Sequence, residues 1–271
     1  MPRPLRAILS PWAVVALLAL APACTQRFVP MRGPSETVVS IARLELGYSN
    51  VYLLSHAGTC TYALVDSGSP GDERDLGRAL AARGLAPSNI SYVILTHGHA
   101  DHAGLGRFLQ ERGARVLLGA EDVSQSEVGR NDEMRAQNLT AVLLKPFVRF
   151  PYAPFRPDAL VYPGPDLPLE GLPGVRVRHM PGHTRGALIV LVGDDDAIVG
   201  DMMLGGIWGG AVGAAHAGDH YYHDDARRNR CNIQRLYDAG ISRFFLGHGG
   251  PVSRASVEAW MGRWMDREPC R

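Results

Sequence analysis

Seven side chains of metal-ligand type follow one another in a fixed order along this chain of 271 residues. They begin in the run Thr96-His97-Gly98-His99-Ala100-Asp101-His102 and continue with His183 in Met180-Pro181-Gly182-His183-Thr184, Asp201 in Val199-Gly200-Asp201 and His248 in Leu246-Gly247-His248-Gly249. Five imidazoles and two carboxylates suit two borderline transition-metal ions. Zinc is the first expectation, because neutral imidazole and carboxylate are its usual donors in hydrolytic sites, and iron or manganese can use the same set. Two such ions about 3.5–4 Å apart hold a bridging water whose pKa falls towards neutrality, while one of them polarises a substrate oxygen. The expected chemistry is attack of hydroxide on an ester, thioester, lactone or related carbonyl. Asp101 or Asp201 would manage the proton afterwards, and no nucleophilic Ser or Cys is needed.

The elements that must position these groups can be read around them. Ile90 to Leu95 is a mostly apolar, strand-like run, and a helix is predicted from Gly104 to Arg112 beyond the ligand loop. His97 and His99, two residues apart in extended backbone, point to the same side and can share one ion. Asp101 and His102 follow where the chain begins to turn, so they aim elsewhere and can hold a second ion. His183, Asp201 and His248 each come just after a strand-like segment, 175–180, 197–199 and 244–246. Ligands at the ends of several strands converge on one edge of a sheet. Further strands are predicted at 38–46, 51–54, 62–65 and 187–192, and helices at 72–83 and 224–239, the first with Gly84 placed as a C-terminal cap. The run Gly193-Asp194-Asp195-Asp196 reads as a solvated turn.

In its ordered motifs HxHxDH, PGHT, GD and GHG the chain resembles the metallo-β-lactamase superfamily, over roughly residues 35 to 255. The resemblance implies an α+β fold, a four-layer αββα sandwich in which two sheets pack together with helices outside. It implies that His97, His99 and His183 hold metal one, that Asp101, His102 and His248 hold metal two, and that Asp201 bridges them. Asp66, at the end of the strand Tyr62-Ala63-Leu64-Val65, matches an acidic residue that orients the ligands from behind; a turn-forming role before Ser67-Gly68 is its other reading. The Asp at the bridging position favours the glyoxalase-II-like and lactonase-like branches over true β-lactamases. Glyoxalase II proper carries a helical domain after its last ligand, which the short stretch after His248 does not match. Lactonases place a Tyr soon after the bridging Asp, where this chain has Met202-Met203-Leu204. Alternatives that stay open are a mononuclear-iron oxidoreductase of the persulfide dioxygenase type, a β-lactamase or phosphodiesterase of the same fold, and a tethered binding protein without catalysis.

Two stretches are candidates for recognising substrate. Between Glu121 and Pro173, Phe147, Phe150, Tyr152, Phe155 and Tyr162 are interleaved with prolines, a composition of a stiff, partly apolar loop that could wall a pocket, with Tyr152 and Phe155 as the wall. From Met202 to His223, glycines accompany Trp208, and then His216, His220, Tyr221, Tyr222 and His223. Trp208, His220, Tyr221, Tyr222 and His223 are candidate rim residues, any Tyr or His among them able to donate to a developing oxyanion.

The whole composition is that of an ordinary enzyme body. With 46% hydrophobic residues the chain can bury a large core, expected as one domain over 37–271. A formal net charge of +1 gives no basic excess, so a small-molecule substrate is expected and nucleic acid is not. The first 24 residues differ: Arg3 and Arg6 precede the apolar run Trp12 to Leu20, which suits an export signal better than a membrane span. Ala21-Pro22-Ala23 before Cys24 resembles a lipobox, implying a lipid anchor at Cys24 in the bacterial periplasm or cell envelope, with 25–36 as a tether; plain cleavage or an uncleaved anchor are the alternatives. Cys60, Cys231 and Cys270 then remain, an odd set that allows one disulfide, such as Cys231 to Cys270, and one free thiol. Wild-type protein should incorporate a fatty-acid probe and fractionate with membranes, and Cys24→Ser should do neither. Equal labelling of the two chains would refute lipidation at that residue.

Overall fold

The computed structural model describes residues 39–267, 269 and 270. The expected export segment, Cys24 and the 25–36 tether lie outside the described residues. In chain order the first half comprises β1 Val39–Glu45, β2 Asn50–His56, β3 Tyr62–Val65, α1 Glu73–Ala81, β4 Ile90–Ile94, α2 Ala100–Ala103, α3 Gly106–Gln110, β5 Arg115–Gly119, α4 Val123–Val128, α5 Leu139–Leu144 and β6 Ala159–Val161. The second comprises β7 Leu167–Pro168, β8 Val175–His179, β9 Leu188–Val192, β10 Asp196–Gly200, β11 Leu204–Ile207, β12 Val212–Gly218, α6 Ala226–Asp238, β13 Arg243–Leu246, β14 Val252–Ser253 and α7 Arg254–Met261.

Two six-stranded sheets result, one in the order β1-β2-β3-β4-β5-β6 and the other β14-β13-β10-β9-β8-β7, while β11 and β12 form a separate hairpin. The period-2 alternation of strand side chains decides what each face covers. On β2, Tyr52 and Leu54 join Val190, Ile198 and Phe245 in the core between the sheets. Val51 and Leu53 turn the other way and pack with Leu76 and Leu80 of α1 and Leu109 of α3. On β9 and β10, Ile189, Leu191, Ala197 and Val199 face Ile233 and Leu236 of α6 and Val257 and Trp260 of α7. The layers are therefore helix, sheet, sheet, helix, as the resemblance implied. Strands covered on both faces read as continuous apolar runs, which is why 188–192 is buried at every position.

The structure departs from the sequence reading in several places. Of the helix expected over 104–112 only α3, 106–110, forms, and a separate turn of helix, α2, precedes it within the ligand loop; the break between them comes where the Gly104 amide donates to the Gly68 carbonyl at 3.0 Å and that of Leu105 to Ser67 Oγ at 3.0 Å. A Cβ on Gly104 would stand 2.5 Å from the Pro70 nitrogen, so this backbone approach requires glycine. Helix α6 begins at Ala226, where the Asp225 side chain accepts from the Arg228 amide at 2.9 Å. Cys231 and Cys270 are joined in a disulfide with Cα atoms 5.3 Å apart, and Cys60 is not left over as a free thiol. No helix among the described residues is long and apolar enough to cross a membrane.

The stretch 148–158 is irregular, as its prolines require, but two of its aromatics do not wall a pocket. Tyr152 and Phe155 are buried in the core between the first sheet and its helices. The Tyr152 hydroxyl donates to the Gly98 carbonyl at 2.8 Å, pinning the ligand loop from behind. Phe155 lies against Gly106, where a Cβ would come within 2.5 Å of its ring. Tight apolar packing outweighs a place at the rim for both rings. Replacing Phe155 with Ala should therefore lower stability by about 3–5 kcal/mol in urea unfolding and leave KM unchanged. A raised KM at unchanged stability would return Phe155 to the substrate wall.

Candidate metal centre

All seven sequence-chosen ligands meet at the carboxyl ends of parallel strands. The sharing is set by topology: β3, β4 and β5 run parallel, as do β10 and β13, so the loops after them leave on one edge. The loop after β4 carries His97 to His102, that after β10 carries Asp201, and that after β13 carries His248. His183 follows β8, which runs antiparallel to β9 and hence parallel to β10.

Asp201 stands at the middle. Its Oδ2 lies 3.5 Å from His248 Nε2, 3.8 Å from His183 Nε2 and 3.9 Å from His97 Nε2, and its Oδ1 lies 3.4 Å from His102 Nε2. Asp101 Oδ2 reaches His248 Nε2 at 3.2 Å and His102 Nε2 at 3.6 Å. His183 Nε2 is 3.2 Å from His99 Nδ1. Donor atoms of His97, His99 and His183 lie within 4.8 Å of one another, as do those of His97, His102 and Asp201, and of Asp101, His102 and His248. His97 Nε2, His102 Nε2 and Asp201 Oδ1 are buried and find no hydrogen-bond partner among the described residues. Leaving three converging polar atoms unpaired in a dry place is costly, so the donor set fits divalent cations.

The rear nitrogen of each ring is held, as ligand imidazoles require. Thr96 Oγ1 meets His97 Nδ1 at 3.0 Å, Asp66 Oδ2 meets His102 Nδ1 at 2.9 Å and Asp132 Oδ1 meets His99 Nε2 at 3.0 Å. The carbonyl oxygens of Tyr222 and Tyr48 sit 2.9 Å and 3.1 Å from Nδ1 of His183 and His248. Asp66 also accepts from the Thr96 amide at 2.7 Å, and it does so at φ 64°, a left-handed conformation that Asp tolerates better than most residues. Behind the loops, buried Asp122 accepts from the Gly98 amide at 3.1 Å, Thr184 Oγ1 at 2.6 Å and the Gly186 amide at 2.8 Å, tying the first ligand loop to the His183 loop. Asn50 Nδ2 and the Tyr52 hydroxyl both donate to the Leu246 carbonyl, at 2.9 and 2.7 Å, fixing the loop of His248. A Cβ on Gly247 would stand 2.1 Å from Asp201 Oδ1, so only glycine leaves room for the central carboxylate.

Charge is distributed unevenly over the cluster. Burial, with the imidazoles of His102, His183 and His99, holds His97 well below the usual imidazole range, and burial with His220 does the same to His183. Burial opposes charge on His102 and His248 as well, but Asp201 and Asp101 outweigh it, raising His102 well above its ordinary value and His248 to about 10. In return Asp101 falls to about 2, burial being overcome by His102 and His248, and Asp201 falls well below the ordinary carboxylate range. Without metal, protons on His102 and His248 supply the positive charge that the carboxylates need.

The rim candidates separate. His220, Tyr221 and Tyr222 line an open cleft of about 460 Å³ above Asp101, Asp201 and His248, together with Tyr48, Met134, Leu144, Val148, Leu204 and Gly209. Tyr222 is buried and its hydroxyl donates to the Ala141 carbonyl at 2.7 Å, which commits it to structure. His223 is buried beside His183, with ring centres 5.6 Å apart, and does not line the cleft. Trp208 is 72% exposed at the tip of the β11–β12 hairpin. Tyr48, Asp122 and Asp132 were missed in the sequence. None belongs to a motif, and acidic residues in loops look like ordinary solvated ones.

The sequence profile of the metallo-β-lactamase superfamily matches residues 44–248. A hydroxyacylglutathione hydrolase of Acidiphilium cryptum is 28% identical over 169 residues, 62% of this chain and 54% of that protein. A probable metallo-hydrolase of Bacillus subtilis is 28% identical over 221 residues, 76% of this chain and 68% of that one. The chain spans about half the length of the hydroxyacylglutathione hydrolases it matches. A metallo-β-lactamase family protein of Thermus thermophilus superposes with a TM-score of 0.58 at 24% identity, covering 84% of this chain and 80% of that one, a likeness of fold.

Metal loading must displace the protons on His102 and His248, whose raised values keep them charged at neutral pH. Titrating metal-free protein with zinc in weak buffer at pH 7 should therefore release about two protons per chain, and affinity should fall as pH falls. Uptake without proton release, or affinity independent of pH, would contradict this charge pattern.

Proposed function

The chain belongs to the metallo-β-lactamase superfamily, and we propose that it is a metal-dependent hydrolase that cleaves an ester, thioester or lactone bearing an apolar group. The observation that carries this reading is the central, buried Asp201 among imidazoles with unpartnered donor atoms, opening into a cleft lined, among the described residues, by no Lys or Arg. Two divalent ions, zinc by donor type, would be held by His97, His99 and His183 and by Asp101, His102 and His248 with Asp201 shared, and when bound they supply Lewis-acid polarisation and an acidified water.

The residues around them account for the rest. Asp101 and Asp201 keep their carboxylates ionised and can take a proton from the attacking water or pass one to the leaving oxygen or sulfur. Tyr48, beside His248 with ring centres 5.1 Å apart, is raised to about 12 by burial and the charges of Asp101 and Asp201. It keeps its proton and can donate to a developing oxyanion, as can Tyr221. Met134, Leu144, Val148 and Leu204 give the cleft an apolar side. Elsewhere Leu139, Val142 and Leu143 of α5, Phe147 beyond it, and Ile207, Trp208 and Val212 of the β11–β12 hairpin are exposed apolar side chains. A polyanion would lose hydration in the cleft without any cationic side chain to replace it, whereas an acyl or aromatic group gains by burial. Export to the cell envelope, read from the N-terminal segment, remains part of the proposal.

Reloaded enzyme assayed on a panel of carbonyl and phosphoester compounds should hydrolyse small esters, thioesters or lactones faster than any phosphodiester, and rate should rise with acyl length. Substituting Leu144 or Val148 with Ser should raise KM more than it lowers kcat. A phosphodiester such as bis-p-nitrophenyl phosphate as the best substrate would overturn the carbonyl reading, and a persulfide oxidised with uptake of oxygen would replace hydrolysis altogether.

A further inference from the structure

An eighth side chain of the ligand type lies inside the cluster. His220, in the loop between β12 and α6, is buried, and its Nε2 stands 3.2 Å from Asp201 Oδ2, nearer than any of the superfamily-type imidazoles. Donor atoms of His183, Asp201 and His220 lie within 4.8 Å of one another, the spacing found for the three other donor groups of the site. The rings of His220 and His183 are edge to face with centres 4.8 Å apart, and those of His220 and His248 are nearly parallel at 6.0 Å.

The rear of the ring is prepared in the same way as in the other ligands. His220 Nδ1 lies 3.3 Å from the Tyr222 carbonyl oxygen, which also receives His183 Nδ1 at 2.9 Å. A carbonyl has two lone pairs, so one backbone oxygen can orient both imidazoles. With the proton on Nδ1, the Nε2 lone pair faces Asp201, as a metal ligand requires. His223, three residues on, has the opposite character: its Nδ1 is buried without a partner and it belongs to none of the donor groups.

We propose that His220 is a metal ligand, sharing with His183 and Asp201 the ion that His97 and His99 also hold. Resting on the metal-site reading above, this adds a protein donor to that ion beyond the tetrahedral complement typical of structural zinc. It shifts the site towards five- or six-coordinate geometry, which iron, manganese and cobalt accept readily. The competing role is hydrogen-bond donation from Nε2 to Asp201, with Nδ1 accepting from the Tyr222 amide at 3.3 Å.

Cobalt(II) separates the two, because its visible bands are strong in tetrahedral and weak in higher coordination. Full-length protein should be stripped, shown to keep its thermal unfolding midpoint in each variant, and reloaded with two equivalents of cobalt. We expect stronger bands in both His220→Ala and His220→Gln than in the wild type, in which only the other ion has a tetrahedral protein complement, and loss of one ion from both variants to a chelator at more than tenfold lower concentration. The Gln amide can still donate to Asp201, so His220→Gln with the wild-type spectrum and wild-type metal retention would overturn the proposal. Wild-type protein that takes up no cobalt would overturn it together with the metal-site reading, whereas two retained ions with an unresponsive His220→Gln would overturn this assignment alone.

Discussion

Two carboxylates in a dry interior must be balanced by positive charge, and the rest of the structure follows from that requirement. Asp201 is almost completely buried, and Asp101 nearly so. Among the described residues neither has a Lys or Arg within ion-pairing distance. Their surroundings are imidazoles, which can carry a proton or give it up to a metal ion with little movement of atoms. Metal binding replaces protons by divalent charge in a frame already assembled.

Assembly of the frame uses backbone far more than side-chain flexibility. The loops of His97 to His102, Asp201 and His248 leave the ends of β4, β10 and β13, which contribute side chains to the cores on both sides, while β8, before His183, buries Val175 and Val177 on one face. The loops are then tied across the sheets: Asp122 joins the first to the His183 loop, and Asn50 and Tyr52 hold the last. Gly247 removes the one Cβ that would collide with Asp201. Precision of this kind suits a site whose donors must meet an ion within a fraction of an ångström.

The opening strands, the strands that precede the ligands, the two-sheet layering and the seven-ligand cluster were legible in the sequence, whereas β5, β6, β7, β11, β12 and β14 were not. Apolar runs with strand period stand immediately before each ligand, and the ligands are of chemical types that rarely gather without a cation. The supporting residues were less legible. Asp66 could be read because the resemblance puts an acid at the end of its strand, but Asp122 and the half-exposed Asp132 lie outside any motif, where nothing local distinguishes an acceptor behind the ligand loops from an ordinary solvated carboxylate. Tyr152 and Phe155 resemble pocket aromatics in composition, and only the tertiary fold shows that the core claims them. His220 sits in no motif, and its closeness to Asp201 is created by the path of the chain between β12 and α6.

The account turns on whether Asp201 is the shared centre of two bound ions. Anomalous diffraction from crystals of protein purified without chelators, measured on either side of the absorption edge of the metal found, addresses this directly. The account predicts two anomalous peaks per chain, one among His97, His99 and His183, the other among Asp101, His102 and His248, each touching the Asp201 carboxylate. A single peak, or two peaks neither of which contacts Asp201, would contradict it.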